Sequence, residues 1–367
     1  MAKLGEVCLL KAGKFVSAND ISPEYNKGLY PCFGGNGIRG YVADYTHDGE
    51  FPLIGRQGAL CGNVNLASGK FHATEHAVVV QPKTEMNVQW LYYALNAMNL
   101  GQYATGAAQP GLAVSKLETL SIEIPNISEQ NKIAQTLYKV EQLVNFRKQQ
   151  LAKLDELVKA RFVEMFGDAK LNPNNLPCCS LSEYIVFLTS GSRGWSQYFT
   201  DSGEYFITIK NVKNCKITLQ DVQCVTPPDN AEAKRTRVQE NDLLISITAD
   251  LGRTGIVTKE IAEHGAYINQ HLTCIRLKQD KLNPLYVAYY MESDAGKEQF
   301  IAKNQSAVKA GLNFNAINSL KLMVPPLSLQ NEFAAFVERV DQQKQTVQQS
   351  LEKLELMKKA LMQEYFG

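Results

Sequence analysis

Two long stretches of the chain, residues 125–167 and 325–367, share a pattern of apolar residues at alternating spacings of four and three. This heptad pattern is typical of a helix that packs along a coiled-coil seam, here with a few polar interruptions. At ~1.5 Å per residue, a helix of about 39 residues would be roughly 58 Å long. The seam positions are Ile133, Leu137, Val140, Val144, Arg147, Leu151, Leu154, Val158, Arg161 and Met165, then Phe333, Val337, Val340, Lys344, Val347, Leu351, Leu354, Lys358, Leu361 and Tyr365.

Each stretch also has the ends expected of a helix. Ser128 and Ser328 follow prolines and are the predicted N-caps, whereas Gly167 and Gly367 stand where a C-terminal glycine is expected. No proline or glycine lies between these ends. The sequence therefore predicts two uninterrupted helices.

The two stretches are copies of one sequence. Pro125 recurs as Pro325 and Gln130 as Gln330, at a constant displacement of 200 positions that continues without a gap to the end of the chain. Such self-similarity indicates a tandem duplication. The two seams can close on each other or on the helices of a partner, and we expect an internal pair. The periodicity leaves open whether the pair is parallel or antiparallel.

The segments that precede the helices, body 1 (residues 1–124) and body 2 (residues 178–324), have a mixed α and β pattern. Short strand-like runs are broken by Gly and Asn, and each body has one helix candidate near its end. The predicted strands are 41–42, 51–54 and 77–80, then 205–209, 242–247 and 273–277; the helices are 90–98 and 285–292. A Pro- and Asn-rich linker, 168–177, joins the two repeats. The predicted class is α+β.

Composition and net charge exclude some classes of protein but do not indicate a function. Apolar residues make up 45% of the chain, and no apolar run approaches the ~18 residues of a membrane span. Without a signal-peptide pattern, we expect a cytoplasmic protein. The eight cysteines are scattered, which favours reduced thiols. With a net charge of +1, any DNA binding would need local basic patches or a partner that supplies phosphate contacts.

Three patterns that resemble catalytic motifs are weak. The G-x-G-x-x-G of Gly35, Gly37 and Gly40 is not followed by the amphipathic helix of a nucleotide site. The H-x-x-E-H at 72–76 runs into a valine strand rather than lying on a helix, as a zinc protease requires. The acidic residues within 228–234 lie crowded in a polar loop. We therefore predict no catalytic residue, no metal and no cofactor.

A divergent body followed by a near-constant helix, twice over, suits a reader of two different targets. Further shared motifs are the repeated Pro-x-x-Ser-x-Gln-Asn and Phe-Gly of the helices and the stretches at 34–41, 55–58, 191–195, 241–246 and 268–272. In this arrangement and in these motifs, the whole chain resembles the specificity subunit of type I restriction-modification systems. The resemblance implies target-recognition domain 1 at 1–124, a conserved helix at 125–167, the linker, target-recognition domain 2 at 178–324 and a second helix at 325–367, in a pseudo-two-fold repeat.

The resemblance implies a subunit without its own catalytic site. Each body would read one half of a bipartite, asymmetric site in double-stranded DNA, and the helices would fix the spacer. Two methyltransferase (M) subunits would dock on the helices, with translocase-nuclease (R) subunits outside them. Two alternatives are a coiled-coil scaffold whose bodies bind proteins and an enzyme with a hidden site. Sequencing of methylated sites in the host genome distinguishes DNA recognition from these two alternatives.

Base readout needs polar and cationic side chains on loops that reach groove edges. In body 1 the glycine-rich loops point to Asn36, Arg39, Tyr41 and Arg56, with Thr74, His76 and Gln109 as secondary candidates. In body 2 the candidates are Ser192, Arg193, Trp195, Lys210, Asn211, Arg253, Gln270, His271 and Lys309.

Overall fold

The computed structural model of the protein describes residues 1–106, 110–304 and 311–367. The chain folds into two compact units. Unit 1 comprises Met1–Gln150 and Val347–Gly367, and unit 2 comprises Leu151–Thr346. Each unit thus holds one body together with a part of both long helices. Within the described residues, no helix combines the length and the apolar content that a membrane crossing needs.

The two predicted long helices are confirmed as long helix 1, Ile127–Phe166, and long helix 2, Leu327–Phe366, each of 40 residues. Every predicted seam position is buried or half-buried.

The glycine ends are confirmed, and the serine caps are wrong. Gly167 has a positive φ of 81°, and its N–H donates to the Val163 carbonyl at 2.8 Å. Ser128 and Ser328 already lie inside the helices. The Asn126 side chain, which precedes the helix, instead accepts the Glu129 N–H at 3.0 Å, because a cap must reach back from outside the first turn.

Within each unit, the helices pair in antiparallel fashion, and the polar seam positions explain how. In unit 1, Arg147 Nε donates to Ser350 Oγ at 3.1 Å and Lys358 lies 2.7 Å from Glu141. The residue numbers rise along one helix as they fall along the other. In unit 2, Lys344 pairs with Asp155, and Arg161 lies 3.0 Å from Glu332. The four polar breaks in the seam therefore each meet a polar partner on the facing helix.

Body 1 contains two four-stranded sheets. The first is fully antiparallel, and the second includes one parallel pair. In sheet order, the strands of the first are Cys8–Ala12, Ala77–Pro82, Phe51–Gly55 and Val64–Ala67, and those of the second are Gly37–Val42, Tyr30–Gly34, Lys70–Ala73 and His47–Asp48. A ribbon of Ala2–Lys3 and Ser121–Ile122 closes the body, and its helices are Leu4–Val7, Val88–Ala97 and Val114–Glu118, with 3₁₀ turns Ala18–Asp20 and Leu100–Tyr103.

Body 2 repeats the strand order of the first sheet, whereas its second sheet has a different order. Its first sheet has the order Ile185–Ser190, Leu272–Leu277, Leu243–Ser246 and Thr254–Ile256, and its second has Phe199–Thr200, Gln223–Val225, Glu204–Ile207 and Ala266–Ile268. Two ribbons pair Cys178–Ser180 with Lys321–Met323 and Val212–Lys213 with Lys216–Ile217. The helices are Ala231–Thr236, Lys259–His264, Pro284–Glu292, Asp294–Ala302 and Phe314–Asn318, with 3₁₀ turns Leu181–Tyr184, Trp195–Tyr198 and Ile209–Asn211. The predicted strands and both helix candidates are confirmed, with shifted ends.

The repeated Gln-Asn pair fixes each body to the start of the helix that follows it. In unit 1, Gln130 accepts the Asn87 N–H at 2.9 Å and donates to the Pro125 carbonyl at 2.8 Å, while Asn131 accepts from the Asn87 side chain at 2.7 Å. Asn87 is the N-cap of helix Val88–Ala97. In unit 2, the contacts of Asn283 with Gln330 and Asn331 have the same pattern. The motif therefore orients each body on its helix.

The end of the other long helix supplies a second anchor. In unit 1, Phe366 packs against Trp90 of body 1, with ring centroids 6.4 Å apart. In unit 2, Phe166 is fully buried against Tyr286 of body 2 at 4.7 Å. Each body therefore packs on the start of one long helix and on the end of the other, which is why the Phe-Gly pair is repeated.

Candidate nucleic-acid interface

The candidate residues of body 1 meet at one edge of its sheets. The hairpin that joins Tyr30–Gly34 to Gly37–Val42 lies beside the end of strand Phe51–Gly55, and a cavity of about 590 Å³ is lined by Asn36, Arg39, Gln57 and His76 among others. The close approach needs glycine, since a Cβ at Gly55 would lie 2.0 Å from the Gly35 carbonyl oxygen. The cavity therefore groups three predicted contact residues with Gln57, which lies in the matching stretch 55–58 but is not among the predicted contacts.

The polar atoms around this cavity are incompletely paired. His76 Nε2 lies 3.1 Å from Glu75 Oε1. Glu75 Oε2, His76 Nδ1 and Arg56 Nε are buried and have no hydrogen-bond partner in the described part of the chain. Arg39 is exposed and forms no salt bridge with any described residue. The site thus offers cationic donors and a carboxylate acceptor, the groups that read base edges and bind phosphates.

The side chains of the other body 1 candidates, and of Asn36 in the cavity lining, divide into three groups. Asn36 is exposed and accepts from Asn63 at 3.1 Å, and Tyr41 packs edge to face on Tyr25 at 5.4 Å. Thr74 is fully buried, and its hydroxyl accepts the His76 N–H at 3.4 Å. It shapes the turn and cannot contact a ligand directly. Gln109 lies outside the described residues.

In body 2, the structure brings Ser192, Gln270 and His271 together. The backbone of Ser192 forms an isolated β-bridge with Asn269, the residue before Gln270. His271 Nδ1 lies 2.6 Å from Thr248 Oγ1. Gln270 Nε2 lies 3.0 Å from His271 Nε2. Thr248 is half-buried and was not predicted, because a lone threonine in a polar loop carries no sequence signal.

Arg235 is a second residue that the sequence did not indicate. Its guanidinium donates to the Ser190 carbonyl at 2.8 Å and to Ser192 Oγ at 3.0 Å, and it also bonds Thr189. It is exposed and has no salt bridge among the described residues. It therefore holds the loop that carries Arg193 and adds a cation beside it. The sequence indicated only an acidic loop next to this position.

The other candidates of body 2 have separate positions. Arg193 and Lys210 are exposed without a salt bridge in the described ranges, whereas Arg253 pairs with Asp250. Lys309 lies outside the described residues.

Two predictions for body 2 are corrected by burial. Trp195 is 4% exposed and stacks on Phe206 at 5.2 Å, because its indole fills the core beneath the second sheet. Asn211 is 3% exposed, and its side chain accepts the Thr208 N–H at 2.9 Å and donates to the Thr218 carbonyl at 3.2 Å. Neither side chain is placed to contact a groove.

The three catalytic-like patterns have structural explanations. Gly37 and Gly40 lie in the strand Gly37–Val42 rather than before a helix. His72 is 8% exposed, and its two ring nitrogens each lie 3.2 Å from a backbone carbonyl. The acidic stretch is in part helical rather than a loop: Asn230 caps the helix Ala231–Thr236 and Glu232 accepts the Trp195 indole N–H at 3.2 Å. No cluster of metal-ligating residues occurs within 1–106, 110–304 and 311–367.

Buried thiols and a buried ion pair also have structural roles. Burial raises the pKa of the Cys8 thiol to about 11 and that of Cys274 well above its ordinary value, so both stay protonated at neutral pH. Asp242, in the predicted 241–246 motif, is fully buried and binds Arg276 through two hydrogen bonds of 2.8 Å. These bonds raise the pKa of Arg276.

The chain is similar to known proteins in sequence and in fold. The profile of the type I restriction modification DNA specificity domain matches residues 1–156 and 193–356. The type I restriction enzyme EcoprrI specificity subunit of Escherichia coli is 53% identical over 143 residues, which cover 39% of this chain and 36% of that protein.

Two solved structures share the fold. The S subunit of the type I restriction-modification system from M. genitalium has a TM-score of 0.66 at 17% identity and covers 100% of this chain and 95% of that one. A chain from a structure of complex assembly and conformational transition of the type I R-M system has a TM-score of 0.57 at 16% identity, with 100% and 96% covered.

Because the profile matches two segments that together make up most of the chain, the chain belongs to the type I restriction-modification DNA specificity family. Its alignment spans about a third, 36%, of the length of the EcoprrI relative. The structural similarity, at 16–17% identity, supports the fold of two mixed α/β bodies and two long helices.

Proposed function

We propose that this chain is the sequence-specific DNA-recognition subunit of a type I restriction-modification complex. Residues 1–124 and 178–324 are its two target-recognition domains, each of which reads one half of a bipartite, asymmetric site. The observation that carries this proposal is that the first sheets of the two bodies share one strand order, while the polar side chains at the loops differ. A common scaffold with different loop side chains suits the reading of two different half-sites.

The exposed cations support DNA as the ligand. Arg39 in body 1 and Arg193, Lys210 and Arg235 in body 2 have no salt bridge among the described residues. Since the net charge is only +1, attraction to phosphate must come from such local groups and from partner subunits. The half-buried polar groups beside them, His76 among these, would discriminate the bases.

Partners would dock on the long helices. Leu143 and Phe146 of long helix 1 are 46% and 58% exposed, and the same positions of long helix 2 hold Gln343 and Thr346. Exposed apolar groups on a helix favour a protein contact. We assign this contact to methyltransferase subunits, two per complex, with translocase-nuclease subunits outside them.

We assign no catalytic site and no cofactor to the chain itself, so methylation, cleavage and ATP hydrolysis come from the partner subunits. The complex would act in the cytoplasm. The helices would set the distance between the two half-sites and thus the length of the unread spacer.

Sequencing of methylated sites in the host genome tests this function. The proposal predicts a bipartite, asymmetric motif that disappears when the gene is deleted and returns when it is restored. Unchanged methylation after the deletion would contradict DNA recognition and would favour a scaffold whose bodies bind proteins.

A further inference from the structure

The two bodies contain one equivalent substructure that their sequences do not show. In the first sheet of body 1, Gly55 is paired with Ala77 where the two inner strands end. In the same place in body 2, Ser246 is paired with Leu272. In each pair, the first residue is the last of its strand and the second is the first of the neighbouring strand, which the chain enters through a turn. The register therefore gives a residue-by-residue correspondence.

The turns before these strands have the same hydrogen bonds. In turn 1, residues 74–77, the Ala77 N–H donates to the Thr74 carbonyl at 3.0 Å; in turn 2, residues 269–272, the Leu272 N–H donates to the Asn269 carbonyl at 3.1 Å. The side chain of the first turn residue accepts the N–H of the third in both, at 3.4 and 3.1 Å. Thr74 thus corresponds to Asn269.

The next strand is connected in the same way. The backbone N–H of Arg56 donates to the His76 carbonyl at 3.0 Å, and that of Ile247 donates to the His271 carbonyl at 3.0 Å. Glu75 therefore corresponds to Gln270 at a displacement of 195 positions, whereas the long helices correspond at 200. An alignment of the two repeats at a constant displacement of 200 positions therefore does not match Glu75 with Gln270.

In both turns, a histidine contacts the side chain that precedes it. Glu75 Oε1 lies 3.1 Å from His76 Nε2, with 34% and 40% of the two side chains exposed. Gln270 Nε2 lies 3.0 Å from His271 Nε2, and Thr248 lies on the other side of that ring. The acid and the amide have nearly the same shape, but they differ in hydrogen-bonding capacity.

Turn 1 and the adjoining Arg56 are incompletely hydrogen-bonded among the described residues. Glu75 Oε2, His76 Nδ1 and Arg56 Nε are buried without a hydrogen bond in the described ranges. A buried polar group left unpaired destabilises a protein, so such groups are rare. They lie at the turn whose histidine lines the cavity with Asn36 and Arg39.

We propose that Glu75 and Gln270 are the equivalent base-discriminating residues of the two bodies and that His76 and His271 position them. An ionised carboxylate only accepts hydrogen bonds and suits the amino group of cytosine, whereas an amide donates and accepts and suits adenine. Glu75 therefore selects cytosine in the first half-site, and Gln270 selects adenine in the second. This inference rests on the proposed function.

Isosteric exchanges test the inference with little risk to the fold. The full chain, assembled with methyltransferase, carries Glu75→Gln or Gln270→Glu, and the bound sequences are selected from DNA duplexes randomised in both half-sites. Glu75→Gln is expected to change one base pair of the first half-site and to lower its preference for the parental base by about tenfold or more. Gln270→Glu changes one base pair of the second half-site only. The exposed Glu24→Gln and Gln220→Glu are the matched controls.

A histidine variant tests separately whether His76 positions the Glu75 side chain. His76→Gln should weaken discrimination at the same base pair that Glu75→Gln changes, and at no other. If both exchanges leave the wild-type motif unchanged, or abolish binding without a new base preference, the inference is overturned while the proposed function stands. Failure of both isosteric variants to assemble would overturn it as well, because the residues would then hold the turns together. If the wild-type chain selects no bipartite motif, the proposed function fails.

Discussion

The carboxylate of Asp242 is a charged group without any exposed surface. It accepts the Gln239 N–H at 2.7 Å in addition to the guanidinium of Arg276. Arg276 in turn lies over the ring of Phe187 at 5.0 Å. The pair joins two neighbouring strands of the first sheet of body 2, since Arg276 lies in Leu272–Leu277 and Asp242 directly precedes Leu243–Ser246.

Removal of this carboxylate should destabilise body 2 strongly. Asp242→Ala leaves a partly buried guanidinium without its partner, and such a loss costs about 3 kcal/mol. Denaturant unfolding of the full chain in complex with its partner measures the effect, with the exposed Asp280→Ala as the control. A loss as small as that of the control would show that the ion pair contributes little.

The polarity of a residue predicted its exposure at some positions and not at others. Arg39, Arg193 and Lys210 are exposed, whereas Trp195 and Asn211 are buried. The sequence contains no signal for this difference, because an indole or an amide can satisfy its polar atoms inside the protein as well as on DNA. Thr248 and Arg235 depend on contacts across many residues, which no local pattern predicts.

At the scale of elements, the heptad pattern predicted the helices and their seam, since burial along a helix follows a simple period. It could not predict the antiparallel pairing, which depends on where Lys344 and Lys358 meet their acidic partners. The serine caps failed because Ser128 and Ser328 lie inside the first turns of the helices. The Asn126 side chain caps long helix 1, whereas Pro326, which has no side-chain acceptor, precedes long helix 2. The equivalence of Glu75 and Gln270 was concealed because loop lengths differ between the bodies.

The crossed anchors give a prediction for the helix ends. Phe366→Ala removes the C-terminal contact with Trp90 and should reduce the hydrogen-exchange protection of body 1 near Val88–Ala97, although the substitution lies at the other end of the chain. Phe166→Ala should reduce that of Pro284–Glu292 in body 2. Loss of a buried Phe costs about 3–5 kcal/mol, and the larger effect is expected for Phe166, which is fully buried.

Hydrogen exchange followed by mass spectrometry distinguishes the two variants, and each is the matched control of the other. Reduced protection of body 2 in Phe366→Ala, with body 1 unaffected, would contradict the crossed arrangement.

At the scale of the whole molecule, a fragment of residues 1–167 should form a homodimer. Body 1 packs on the start of long helix 1 and on the end of long helix 2, and Phe166 repeats Phe366, so a second copy can supply the missing end. The dimer should be weaker than the intact pair, because Val158 stands where Lys358 pairs with Glu141. A closed two-fold dimer presents the same body twice.

Cells that express only this fragment and the methyltransferase should therefore methylate a palindromic site made of two copies of one half of the parent motif. An asymmetric motif, or the second half of the parent motif, would contradict a duplicated reader.

The most direct test of the central claim, that each body reads its own half-site, is an exchange of body 1. Residues 1–124 are replaced by the corresponding body of a family member with a different motif, and the Gln130–Asn131 anchor is left intact. The methylated sites are then sequenced. Since base contacts are local to each body, we predict that one half-site changes to that of the donor while the other half and the spacer stay the same. Retention of both original halves, or a change in both, would contradict the account.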